Sequence, residues 1–284
     1  MKKLSINENL IIVIKSLVLT ISGIIILELM LSLVRRIGLN ILNDSLTGNV
    51  LLEITILIMQ CLIIRKYSKG ELLASIGLDN AEDSIKNVLK GAAIGLIGTI
   101  LIYLIIFIME IAFYEGVGFK FYNTKTVLFF VFSIFIRAFF AGVCEEVFFR
   151  GVLLNYLVKY KGKVFGLLVS SLIFAIFHCT RYASLYQLAS VLISGIVLGY
   201  IYIKTKSLYM SIGLHFATDF FINLVAPKGE ISLLVLEINR GFNLDYLTQS
   251  IFILMSASYL ILLFILLLKN KMRDEMRVDE EHRG

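Results

Sequence analysis

Residues 126–147 read TVLFFVFSIFIRAFFAGVCEEV, an apolar run interrupted only by Arg137, Glu145 and Glu146 among its ionisable side chains. About 20 predominantly apolar residues suffice to carry a helix across the ~30 Å hydrocarbon core of a bilayer. The stretch therefore reads as a membrane span. An ionisable side chain inside such a span costs ~2.5–3.5 kcal/mol on insertion scales, so it marks a place to look for function.

Working outward, comparable apolar blocks lie at about 10–34, 50–65, 88–113, 164–182, 186–203, 207–226 and 246–268, the block at 50–65 being the shortest. The sequence predicts an all-α, polytopic integral membrane protein of about eight transmembrane helices, folded as a single membrane domain over 1–284. Composition agrees. Hydrophobic residues make up 58% and charged residues 17%, against nearly half and a quarter in soluble domains. The run from about Asn9 to Val34 exceeds the ~7–15 residues of a signal-peptide core and ends in Arg35-Arg36, so it reads as an uncleaved first span. The breaks, such as Asn43-Asp44 and Tyr160-Lys161-Gly162, are short, and no repeat or soluble domain is evident. Pro227 follows the seventh block, where a helix stops readily.

The formal charge of +6 is dispersed over short clusters between spans: Lys2-Lys3, Arg65-Lys66 with Lys69, Lys159 with Lys161 and Lys163, Lys204 with Lys206, and Lys269 to Arg273. This distribution argues against nucleic acid as a partner and for membrane lipid. Under the positive-inside rule it places both termini in the cytoplasm, with Arg35-Arg36 the one offending pair. A multi-pass protein of the cell membrane results. Richness in Ile and Lys fits a bacterial plasma membrane. Cys61, Cys144 and Cys179 show no CxxC spacing, which argues against a disulfide framework or zinc ribbon.

Two of the three histidines, His178 and His215, fall inside apolar blocks, and the third, His282, lies in the charged tail. Glu146 and Arg150 are four apart and share a helical face as a pair, which leaves Glu145, about 100° round the helix, free to act as a base. His215 and Asp219 are also four apart. Glu145 precedes Lys159 by 14 residues and His178 follows Lys163 by 15, so each lies ~21–22 Å from the same turn at ~1.5 Å per residue. His215 and Asp219 lie ~14 and ~20 Å beyond Lys206. The groups can therefore meet at one depth. As one helix, 126–158 would be ~50 Å long, so it must tilt, kink or project beyond the bilayer.

Water activation is the chemistry such a cluster supports. Glu145 as general base and His178 hold a water. His215 donates to a developing oxyanion and Asp219 orients it. The product is a hydrolysed amide. Arg137 reads first as the partner of a buried carboxylate and second as a binder of a substrate carboxylate. Glu28, Glu53 and Glu110 read as span-end or near-span acids, Glu53 and Glu110 as interfacial. Cys144 and Cys179 adjoin site residues but face other directions on a helix, which disfavours a Cys–His dyad.

The segments EEVFFRG, FAIFH and HFATD (Glu145–Gly151, Phe174–His178, His215–Asp219) resemble, in order, the EExxxR, FxxxH and HxxxN/D motifs of the CAAX protease and bacteriocin-processing (CPBP, or Abi) family of intramembrane endopeptidases. The CPBP-like core covers about 126–226. The resemblance implies Glu145 and His178 on the catalytic water, His215 and Asp219 at the oxyanion, and Glu146 and Arg150 in support. Eukaryotic members usually carry Asn where Asp219 stands, and a carboxylate cannot donate, so orienting His215 is the role assigned to it. The family is often labelled metalloprotease. Glu145, His178 and His215 are candidate zinc ligands, but no HExxH is present, and a metal-free glutamate mechanism is preferred. The expected partner is a peptide or lipidated protein substrate reached from the cytoplasmic side. The competing readings are a proton-coupled transporter and a bacteriocin-immunity binder without catalysis.

Overall fold

The computed structural model describes residues 6–36, 45–67, 72–78, 84–182 and 184–283. Lys2, Lys3, Lys69 and the Asn43-Asp44 break lie outside them, as do the side chains beyond Lys269, His282 included. Every apolar block forms a helix: α1 (Ile6–Arg36), α2 (Ser45–Tyr67), the short α3 (Leu72–Ile76), α4 (Ser84–Ile108), α5 (Thr124–Glu146), α6 (Asn155–Lys161), α7 (Lys163–Phe177), α8 (Leu185–Thr205), α9 (Tyr209–Ile222) and α10 (Leu244–Arg283).

Among the described residues, six helices are long and apolar enough to span a membrane, fewer than the eight expected. The blocks at 164–182 and 207–226 fold as α7 and α9, of 15 and 14 residues. At ~22 and ~21 Å they fall short of the ~30 Å core. Both begin beside basic turns and end at the level of the polar cluster. The expected over-long segment is one helical run of 38 residues, Thr124–Lys161. Within it Val147–Leu154 adopts the wide π-helical turn, every residue buried. Such turns tend to occur at functional sites.

The fold is all-α in its main elements, as expected, and carries one small addition. A three-stranded sheet, order β1-β3-β2, is built from β1 (Ala112–Val117), β2 (Val225–Pro227) and β3 (Leu234–Ile238), with β1 antiparallel and β2 parallel to β3. It joins the α4–α5 connection to the α9–α10 connection, at the end of the bundle opposite the basic turns at Lys159–Lys163 and Lys204–Lys206. Pro227, which cannot donate to a ladder, sits in the edge strand β2.

Close backbone approaches fix the site-bearing helices. A Cβ on Gly91 of α4 would lie 2.1 Å from the Met210 carbonyl oxygen, and one on Gly213 of α9 would lie 2.1 Å from that of Val88. Gly91 and Gly95 form a GxxxG pair that lets α9 lie against α4, the small-residue packing favoured where lipid supplies no hydrophobic drive. Gly142 meets Phe216, and Gly195 of α8 meets Ser171 and Phe174 of α7. Ser211 of α9 donates to the Leu198 carbonyl of α8 (3.1 Å).

Candidate active site

The end of α5 supplies Glu145 and Glu146, the turn after α7 supplies His178, and α9 supplies His215 and Asp219. All six residues singled out from the sequence converge. Arg150 donates from Nη1 to Oε1 of Glu146 at 2.6 Å, and both side chains are essentially sealed from solvent. Its Nη2 reaches the Gly195 carbonyl at 3.3 Å, and its guanidinium lies 4.5 Å over the Phe174 ring. Glu146 Oε1 also faces His215 Nδ1 at 3.0 Å.

Glu145 stands between the two imidazoles. Its Oε2 is 3.8 Å from His178 Nε2 and 4.0 Å from His215 Nε2. His178 Nδ1 lies 2.8 Å from the Phe174 carbonyl. A carbonyl only accepts, so Nδ1 carries a proton, and the tautomer this leaves for an uncharged ring has a bare Nε2 toward Glu145. His215 Nδ1 likewise donates to the Glu146 carboxylate, so its Nε2 donates only when the ring is cationic. Asp219 Oδ2 is 3.7 Å from that Nε2. The His178 ring is parallel to Tyr182 within 7° at 6.1 Å and tilted against Phe174 at 4.6 Å. These contacts hold both rings with their Nε2 atoms turned to one carboxylate.

Sequence reasoning missed Glu53. It sits on α2, with its carboxyl facing that of Glu145. The Oε2 atoms of Glu53, Glu145 and Glu146 are all buried without a hydrogen-bond partner in the structure. Two carboxylates so close repel unless a proton, a water or a cation stands between them. The signal that could have found Glu53 is its position in the third turn of an apolar helix rather than at its end. Glu28 pairs with Arg35 at 3.8 Å on the exposed surface. Glu110 turns the chain out of α4 with φ 54°. Cys179 is exposed and bonds back to the Ala175 carbonyl (3.6 Å). Cys144 is buried. Arg137 forms no ion pair among the described residues, contrary to its first reading.

Among the described residues no group of three or more His, Cys, Asp or Glu side chains is arranged to hold a metal ion. Glu145, His178 and His215 as they stand do not fit a zinc site.

The stretch from α5 to α9 carries Glu145, Glu146, Arg150, His178, His215 and Asp219. Residues 126–221 match the family model described as type II CAAX prenyl endopeptidase Rce1-like. The resemblance read from the three motifs is thus found again over the same stretch, and it supports CAAX-protease-like peptidase chemistry in general. No curated protein and no solved structure matches the chain. The several long apolar helices, together with the Rce1-like stretch, make this a multi-pass membrane protein.

Proposed function

We propose that this protein is an intramembrane endopeptidase in which Glu145 activates a water for attack on a peptide carbonyl. The observation that carries the reading is the placing of Glu145 Oε2 at 3.8 and 4.0 Å from the Nε2 atoms of His178 and His215. These separations are too long for direct hydrogen bonds and suit one bridging water.

The water donates one proton to Glu145 and the other to the bare Nε2 of His178, which aims its lone pair at the substrate carbon. As the oxygen attacks, Glu145 takes the proton, and the carbonyl becomes an oxyanion. His215, protonated and held by Glu146, donates Nε2–H to that oxyanion, with Asp219 steadying the ring from the other side. Collapse of the tetrahedral intermediate breaks the C–N bond, and Glu145 returns its proton to the leaving amine. The proposed substrates are a peptide or the tail of a lipidated protein, as the likeness to type II CAAX prenyl endopeptidases suggests. The proposed setting is a bacterial plasma membrane with both termini cytoplasmic.

The test is cleavage of fluorogenic peptides, with and without an S-prenyl cysteine, by the full chain in liposomes. Wild type is expected to cut, and Glu145→Gln and His178→Ala to lose activity by about a thousandfold or more. Cleavage unaltered by both substitutions would remove the chemistry from this site. Proton-coupled solute flux through wild-type liposomes, without cleavage, would favour the transporter.

A further inference from the structure

A cavity of about 490 Å³ lies at the sheet end of the bundle, with Asp219 in its wall. Asp219 Oδ2 is 3.7 Å from His215 Nε2, so the cavity adjoins the polar cluster. All three residues of β2, Val225, Ala226 and Pro227, line it, and no residue of β1, the other edge strand, does. Successive side chains of a strand point to opposite faces. A wall that takes three in succession takes the outer edge of the strand and not one face alone.

The pairing of β2 with β3 fixes which backbone groups that edge presents. Leu234 N–H donates to the Leu224 carbonyl at 3.0 Å, and Lys228 N–H donates to the Leu236 carbonyl at 2.8 Å. Alternate residues of a strand turn their N–H and C=O groups to the same side. Leu224, Ala226 and Lys228 therefore face β3, and Val225 and Pro227 face away from it. Pro227 has no N–H to offer, and its carbonyl accepts from Glu230 N–H at 3.1 Å. Val225 is left as the one residue of the edge that presents both a donor and an acceptor. Among the described residues no turn or loop backbone bonds to either group. Backbone groups withdrawn from water need partners, and an open strand edge is a template for another extended chain.

We propose that the free edge of β2 is a docking strand, on which an extended segment of the peptide substrate exchanges backbone hydrogen bonds with Val225 inside the sheet-end cavity. This inference rests on the peptidase reading and adds how the chain to be cut is held. Asp219 stands in the last turn of α9, and β2 follows directly after the Asn223-Leu224 turn. An extended chain advances ~3.3 Å per residue, so a segment held at Val225 reaches Asp219 within a few residues. Strand addition takes its affinity from main-chain bonds and leaves selectivity to alternate side chains. The pairing therefore needs no chain end and no particular residue at the paired position. It does need an extended segment, because a helix has already spent its N–H and C=O groups on itself. Because Pro227 closes the edge, one substrate N–H and one substrate C=O are engaged, and the amides on either side of that N–H turn away.

Binding is measured with the full chain carrying Glu145→Gln in liposomes, which reads docking without turnover. The probes are a fluorescein-labelled apolar peptide and a series in which each backbone amide in turn is replaced by an ester, which deletes one N–H and leaves the side chains alone. One ester is expected to weaken binding by about tenfold, the scale of one hydrogen bond, and the esters on either side of it to bind nearly as the parent does. Val225→Pro, which removes the edge N–H, is expected to weaken the parent peptide by about as much, and Val225→Ala, which keeps it, to bind normally. Amide hydrogen exchange on the protein needs no variant at Val225: the parent peptide is expected to slow exchange at Val225, and the sensitive ester to slow it less. Equal binding of every ester overturns the proposal, as does no binding of the parent peptide, or exchange at Val225 that the peptide leaves unchanged. Protection of Val225 that needs no peptide and grows with protein concentration assigns the edge to a second copy of the chain and also overturns it. A wild-type protein that shows the ester pattern and the protection but cuts no peptide refutes the peptidase and leaves the docking strand standing; one that cuts the peptide with a flat ester series does the reverse.

Discussion

His215 turns its Nδ1 to Oε1 of Glu146 at 3.0 Å, and that same oxygen accepts from Arg150 Nη1 at 2.6 Å. One buried carboxylate thus fixes the tautomer of the imidazole and is itself held by an arginine one helical turn away. Removing one partner of a buried pair leaves an uncompensated charge and costs ~3–5 kcal/mol, whereas replacing both with apolar residues is often neutral. Arg150→Ala is expected to melt well below wild type in detergent, and Glu146→Leu with Arg150→Leu to recover much of that loss without recovering cleavage. Glu146→Gln is expected to fold and to lose about a hundredfold in kcat, the scale of one misplaced oxyanion donor. A folded Glu146→Gln protein of full activity would show that His215 needs no such anchor.

Glu53 approaches Glu145 from a helix that the signature motifs do not include. A carboxyl facing Glu145 from a separate helix is placed to position it. Glu53→Gln keeps the shape, while Glu53→Ala removes the contact. The alanine variant is expected to lose about tenfold in kcat, the order of one hydrogen bond to a charged group at ~1.5–3 kcal/mol, with KM nearly unchanged and glutamine intermediate. A change confined to KM would place Glu53 in substrate binding instead.

Most of the site was legible because its signals are local. Glu146 with Arg150 and His215 with Asp219 are i, i+4 pairs that a helix must bring to one face, and counting residues from the basic turns placed Glu145 and His178 at one depth. Glu53 was not legible, because its partner is on another helix and hydropathy carries no information about which face of α2 meets α5. The sheet escaped for a related reason. AFYEGV at 112–117 begins in the tail of an apolar block, and its partner LVLEI at 234–238 is remote in sequence. Eight spans were expected and six of the described helices are long and apolar enough to cross; α7 and α9 are apolar throughout yet short, and composition does not register where a helix ends.

The metal-free reading has a direct check. Nδ1 of both histidines is committed to protein acceptors, and the proposed mechanism uses Glu145 as the base between the two Nε2 atoms. Dialysis of the purified protein against 1,10-phenanthroline is expected to leave peptide cleavage unchanged, and elemental analysis to find zinc well below one per chain. Activity lost on dialysis and restored by zinc alone would replace the glutamate mechanism with a metal-dependent one.

Outside the membrane, Lys228 Nζ meets Glu115 Oε1 at 3.0 Å across the sheet. The hydrogen bond from Lys228 holds the Glu115 carboxyl below its usual range, and Glu115 holds the Lys228 ammonium above its own. The carboxylate's contribution is present above the ordinary ~4.3 and is lost as pH falls through the lowered value; the ammonium's is present below ~10.4 and is lost as pH rises through the raised one. The difference in melting temperature between wild type and Lys228→Gln is expected to be small, constant from about pH 5 to 9, and to vanish at strongly acidic pH. Both side chains are partly exposed, so high salt should also reduce it. A difference that persists at acidic pH would trace the effect to packing.

Gly213 links packing to chemistry. It sits on α9 two residues before His215, and a Cβ there would stand 2.1 Å from the Val88 carbonyl oxygen. That contact is with backbone, which cannot rotate away, so Gly213→Ala must push α9 off α4. Overpacking of this kind costs ~1–3 kcal/mol. Its consequence for function is larger than its effect on stability, because α9 bears both His215 and Asp219, and moving them by even ~1 Å can cost about a hundredfold in rate. Gly229, exposed on the turn after β2 with no atom within 4 Å of an added Cβ but with φ +103°, is a control in which alanine strains only the backbone. Gly213→Ala is expected to depress kcat by about a hundredfold at a temperature where the protein is still fully folded, and Gly229→Ala to leave kcat alone. Equal kcat for Gly213→Ala and wild type would mean that α9 does not depend on this close approach to place its histidine.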